Sequence, residues 1–127
     1  MLDEDNELLL SVTDAGPYVV VRAVGDLDLE GAPALTAELR SWLGPRPVVL
    51  DLSGVDFMDS SGLGVLVGAH KEAGNRGGAL ILAAPSPRVQ KIFKVTRLHK
   101  VFSVHDTPED AVEAALRSTG TVTNDRS

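Results

Sequence analysis

Apolar positions along the chain alternate between a period of two and a period near 3.6. Residues 7–13 and 18–24 are short runs rich in Leu and Val on either side of Asp14-Ala15-Gly16-Pro17, which is turn chemistry, and they predict a β-hairpin. Pro33 then opens a stretch in which Leu35, Leu39, Trp42 and Leu43 recur at helical spacing until Gly44-Pro45 stops it. Residues 47–52 are continuously apolar except for Asp51, the pattern of a strand covered on both faces and therefore central. After a short loop, Leu63, Leu66, Val67 and His70 mark a second helix, ended by Gly74 and the Gly77-Gly78 pair, and residues 79–84 form the next buried strand. Ser86-Pro87 combines a capping hydroxyl with proline at the first helical position, so a third helix begins there with Val89, Ile92 and Phe93 inward. Residues 101–104 predict a last short strand. Thr107-Pro108-Glu109-Asp110 repeats the start signal, with acids in the first turn, ahead of Ala111, Val112, Ala115 and Leu116.

The predicted order is β-β-α-β-α-β-α-β-α. Strands separated by helices require crossover connections and hence parallel pairing, so the fold class is a single α/β domain with a mixed sheet of about five strands and four helices. The expected core is Val48, Leu50, Leu52, Leu63, Leu66, Val67, Leu80, Leu82, Ile92 and Phe93. The domain is expected over residues 7–117, with flexible ends at 1–6 and 118–127.

Composition narrows the chemistry. A chain of 127 residues holds one ordinary domain, and 43% hydrophobic against 24% charged is enough apolar material for an aliphatic core. Without cysteine there is no disulfide, thiol nucleophile or thiolate metal site. The acidic start, Met1-Leu2-Asp3-Glu4-Asp5, is unlike a secretory signal, and no apolar stretch approaches a membrane span, so a soluble cytoplasmic protein with no membrane partner is expected. The net charge of −6 argues against direct binding of nucleic acid. The charge is uneven, however. Arg88, Lys91, Lys94, Arg97 and Lys100 run without an acid among them, while Asp26, Asp28, Glu30, Asp51, Asp56 and Asp59 gather mid-chain. The basic run reads as a solvated helix face, and the acids as turn formers rather than ligands of a divalent cation, so neither a metal nor any other cofactor is expected.

The informative stretch is residues 51–64, which joins the central strand to the second helix and places Ser60 and Ser61 at the helix start. The first N–H groups of a helix lack internal partners and its dipole is positive there, so a phosphate on Ser60 is expected to find donors. Asp59-Ser60-Ser61 also suits simple N-capping. Gly62, Gly64 and Gly68 each cost roughly 1 kcal/mol relative to alanine in a helix, which implies a close backbone or ligand, or tight packing of helix on strand. No Gly-x-Ser-x-Gly elbow surrounds Ser60, His70, His99 and His105 are scattered, and neither a phosphate-binding Gly-x-x-x-x-Gly-Lys nor a Gly-x-Gly-x-x-Gly turn is present, so no catalytic residue is assigned and no enzyme activity is expected. An aspartate-phosphorylated receiver would need paired acids ending the first strand, and residues 8–13 supply none.

Phe57-Met58-Asp59-Ser60-Ser61-Gly62-Leu63-Gly64-Val65-Leu66 resembles the signature of STAS-domain anti-sigma-factor antagonists, the sporulation and stress-response type. Gly25-Asp26-Leu27-Asp28, residues 86–93 and Leu98-His99-Lys100-Val101-Phe102 add to the resemblance, which covers residues 7–117. It implies that Ser60 is the phosphoacceptor and that the partner is a serine kinase that also sequesters a sigma factor. The unphosphorylated antagonist would bind that kinase and free sigma, and a serine phosphatase would reset the switch. It further implies a docking face that includes Asp28, Asp59, Ser60, Ser61, Gly62 and Gly64. Gly31 departs from the pattern, since relatives often carry Thr or Ser there, and little effect is expected because glycine is an acceptable cap. The rival reading is a non-phosphorylated STAS scaffold or transporter-associated subunit.

Overall fold

The computed structural model describes residues 7–118. Its elements follow the predicted order: β1 (Leu9–Asp14), β2 (Val19–Leu27), α1 (Ala32–Trp42), β3 (Val48–Met58), α2 (Ser60–Asn75), β4 (Leu80–Ala83), α3 (Pro87–Val95), β5 (Ser103–His105) and α4 (Pro108–Ser118). The five strands form one sheet in the order β1-β2-β3-β4-β5, antiparallel between β1 and β2 and parallel elsewhere. The termini expected to be flexible lie outside the described residues, apart from Ser118, whose hydroxyl donates to the Ala115 carbonyl (2.9 Å) in the last turn of α4.

Alternation along each strand builds two apolar layers. Val19, Val21, Val48, Leu50, Leu52, Leu80 and Leu82 point to one face, where they meet Leu35 and Leu39 of α1, Leu66 and Ala69 of α2, and Val89 and Phe93 of α3. Val49, Ile81 and Ala83 point to the other, where Ala111 and Ala115 of α4 cover them. The three crossovers step across the sheet in one direction, and their helices share a face, as crossovers of uniform hand require. Of the expected core, Leu63, Val67 and Ile92 are only half-buried, packing at its margin, and the other seven are buried. Phe93 and Phe102 meet edge-on at 5.4 Å and His70 meets Phe102 at 5.9 Å, which closes the core beneath α3.

Two segments differ from the sequence reading. The stretch after Leu52, expected as a loop, continues β3 to Met58, so that Leu27 pairs with Met58. β3 spends 11 residues against 9 in β2, and the surplus is taken up by two register shifts, opposite Arg22/Val24 and Gly25/Asp26. Each is a β-bulge, which breaks the period of two and conceals the strand from pattern reading. The last strand begins at Ser103 rather than at residue 101, because Leu98–Lys100 form a 3₁₀ turn entered through Arg97 in the left-handed region (φ 64°). At the end of the sheet where β1 turns into β2, Arg46 donates to Asp14 (2.7 Å) and to the Gly16 carbonyl (3.0 Å). That hydrogen bond, with one from the Gly16 N–H, holds the Asp14 carboxyl below its ordinary pKa of 3.8.

Candidate functional site

The carboxyl ends of β2 and β3 lie side by side, and the chain leaves both through aspartate-capped turns. After β2, the Asp28 carboxylate accepts the N–H groups of Glu30 (3.1 Å) and Gly31 (2.9 Å), and its carbonyl accepts Ala32 N–H (2.8 Å) to start α1. Asp28 thus holds the turn that leads into α1, while Gly31, the N-cap, makes no side-chain cap bond. A Cβ at Gly31 would stand 3.0 Å from the Asp26 carbonyl oxygen and 3.1 Å from Leu8 Cβ, so the departure from Thr or Ser fits the space.

After β3, Asp59 is the N-cap of α2. Its carboxylate accepts Ser61 N–H (2.8 Å) and Gly62 N–H (3.1 Å), its carbonyl accepts Leu63 N–H (3.0 Å), and its own N–H donates to the Leu27 carbonyl (3.2 Å). The donors that a phosphate on Ser60 was expected to find are therefore largely taken: Asp59 occupies those of Ser61 and Gly62. A phosphate on Ser60 would project beside a carboxylate instead of settling into the helix end.

The two serines are inequivalent. Ser60, in the first position of α2, is exposed and its hydroxyl has no hydrogen-bond partner among the described residues. Ser61 is half-buried and lines a groove of about 440 Å³ between α1 and α2, together with Leu39, Arg40, Gly64, Gly68 and Glu72. The glycines also divide. A Cβ at Gly62 would collide with the carbonyl oxygen and Cγ of Leu27, so this position presses the helix start against the end of β2, whereas Gly64 and Gly68 face open space on the groove. Close backbone approach accounts for Gly62 alone.

The fold therefore brings Asp28, Asp59, Ser60, Ser61 and Gly62 together at one end of the sheet, with Gly64 a turn further along α2. Sequence reasoning missed Leu29 (71% exposed) and Phe57 (42% exposed), apolar side chains on the same end, which only their exposure distinguishes from core residues. It also missed the groove, whose α1 wall is remote in sequence. Among the described residues no group of three or more His, Asp or Glu is placed to hold a metal ion, and no helix is long and apolar enough to cross a membrane. His70, His99 and His105 lie apart from Ser60: His70 against Phe102, His99 at 3.3 Å from the Phe93 carbonyl, His105 at 3.2 Å from Ser103 Oγ.

The class is set by the fold: a small α/β domain with a five-stranded mixed sheet, four helices and an aspartate-capped serine exposed at the start of α2. The STAS domain family matches residues 10–111, and the chain belongs to it. It is 33% identical over 89 residues to an anti-sigma-B factor antagonist of Listeria monocytogenes, covering 68% of this chain and 78% of the relative. The fold superposes on an anti-sigma factor antagonist from Mycobacterium paratuberculosis with a TM-score of 0.79, at 29% identity, covering 90% of this chain and 98% of that one. It also matches the anti-sigma factor antagonist SpoIIAA in its unphosphorylated form, with a TM-score of 0.69 at 26% identity over 84% of this chain and 95% of that one. SpoIIAA of Bacillus in its phosphorylated form matches with a TM-score of 0.63.

Proposed function

We propose that this chain is a cytoplasmic anti-sigma factor antagonist switched by phosphorylation of Ser60. Unphosphorylated, it binds an anti-sigma serine kinase and so releases a sigma factor; phosphorylated, it lets go; a serine phosphatase restores it. The observation that carries this reading is the inequivalence of the two serines: Ser60 offers a free, exposed hydroxyl, while Ser61 lines the groove against α1. In the transfer, Ser60 Oγ forms a bond to the γ-phosphorus of a nucleoside triphosphate, the bond to the bridging oxygen breaks, and the hydroxyl proton passes to a base on the kinase. The antagonist itself turns nothing over.

The docking face comprises Asp28, Asp59, Ser60, Ser61, Gly62 and Gly64, with Leu29 and Phe57 supplying apolar contact. Phosphorylation adds roughly −1.5 to −2 charges next to Asp59 and near Asp28. A partner surface shaped for the neutral serine must then desolvate a dianion whose nearest helix-end donors, the N–H groups of Ser61 and Gly62, are already taken by Asp59. The test is a titration against the cognate kinase, with mass spectrometry of the product. Ser60→Ala is expected to bind but accept no phosphate, and Ser60→Asp to bind about a hundredfold more weakly, equivalent to about 2.7 kcal/mol. Phosphate found mainly on Ser61, or equal affinity for the modified and unmodified forms, would overturn the switch and favour the scaffold reading.

A further inference from the structure

The basic run that the function leaves unused has a definite place. Parallel strands give the molecule two ends. At the carboxyl end, Asp26 is in the last residues of β2 and Glu30 follows it, Asp56 and Asp59 flank the end of β3, Asp106 follows β5, and Glu109 is in the first turn of α4. At the opposite end, Lys94 closes α3, Arg97 and Lys100 lie in the turn leading into β5, and Lys71 is near the finish of α2. None of these four cations is in an ion pair among the described residues, whereas Asp14 and Glu72, acids at that same end, are each neutralised by Arg46 and Arg76. Arg88, at the start of α3, is a cation at the acidic end. Both ends also carry exposed apolar side chains: Leu29 and Phe57 among the acids, Val95 (74% exposed) and Val101 (50% exposed) among the bases.

We infer that the acidic end of one copy docks on the basic end of another, a head-to-tail self-association that covers Ser60. The two ends complement each other in charge, and both carry exposed apolar side chains for the contact to cover. The net charge of −6 opposes association at long range. The ends are about 30–35 Å apart, the span of the 11-residue central strand, while screening at about 0.1 M salt acts over roughly 10 Å, so the local charges govern the contact. Because the two surfaces differ, the contact is heterologous: it does not close into a two-fold dimer but adds copies along one axis. Phosphorylation of Ser60 makes the acidic end more negative, so it strengthens this contact while weakening the kinase contact.

The test is sedimentation velocity of the purified chain alone, without kinase, so that its result is independent of whether the phospho-switch reading holds. At about 100 mM salt, growth in size with concentration is expected, and the association constant should fall at least about tenfold at about 1 M salt. Lys94→Glu/Arg97→Glu/Lys100→Glu should abolish association, as should Asp56→Lys/Asp106→Lys. Mixing the two variants should restore a heterocomplex, which also shows that both fold. Ser60→Asp should raise the association constant severalfold. A monomer at low salt up to about 1 mM, a closed dimer indifferent to the charge reversals, or a mixture that fails to associate would overturn the inference. An unchanged Ser60→Asp would remove Ser60 from the contact.

Discussion

One substitution repeated along α2 should change sign with position. At Gly64 and Gly68 an added Cβ meets nothing within 4 Å, so alanine gains its helix propensity, about 0.5–1 kcal/mol, at no packing cost. At Gly62 the same methyl meets the Leu27 carbonyl oxygen and Cγ, and a backbone atom of a central strand has little room to give. Forcing a methyl into such a contact costs about 1–3 kcal/mol, and the propensity gain is smaller in the first turn than in the middle of the helix. For a domain of this size about 1 kcal/mol moves Tm by about 4 °C. Gly62→Ala should therefore lower Tm by about 4–10 °C, while Gly64→Ala and Gly68→Ala each raise it by about 2–4 °C, measured by thermal and urea denaturation of the three variants side by side. If Gly62→Ala melted with the wild type, or if all three lost stability alike, the assignment of Gly62 to close backbone contact and of the others to an open groove would be refuted. Gly64→Ala carries a second expectation: a more stable protein that binds the anti-sigma partner more weakly, because the methyl occupies space on the proposed docking face.

Asp59→Ala should cost about 1 kcal/mol in urea unfolding, since it leaves the N–H groups of Ser61 and Gly62 without their acceptor, while Asp59→Asn should recover most of it. Asp14, whose carboxyl is held below its ordinary range in the folded state, contributes stability that is complete above the unfolded value of 3.8 and is lost as pH falls through the lower folded value. Acid titration of stability should show Asp14→Asn losing that part of the acid slope, and an unchanged slope would dismiss the Arg46 contact as a contributor.

The order of elements was legible because proline, glycine and capping residues punctuate this chain where helices begin and end, as at Ser86-Pro87, where Ser86 Oγ accepts Val89 N–H (3.2 Å). The place of Ser60 at the start of α2 was legible because its neighbours form a contiguous motif. What escaped depended on contacts remote in sequence. The second half of β3 breaks its period at two bulges that only pairing with β2 explains. Gly62 is required by Leu27, which lies on another strand, and nothing local separates it from Gly64. Asp28, by contrast, reads in the sequence as a turn-forming acid, and its two backbone hydrogen bonds hold such a turn. Asp51, odd within an apolar run, sits on the α4 face with Arg22 Nε 3.7 Å away and Ser53 N–H on its other oxygen (2.9 Å).

The press of Gly62 on Leu27 has a consequence for how any signal leaves this protein. The helix that carries Ser60 is seated directly on the end of a core strand, and the N–H of Asp59 anchors to the same Leu27 carbonyl. Neither hinge nor slack separates the acceptor hydroxyl from the sheet. If Ser60 takes a phosphate as proposed, the group has nothing to push open, and the message is expected to be written on the outside as shape and charge, to be read by a surface that meets this end of the domain.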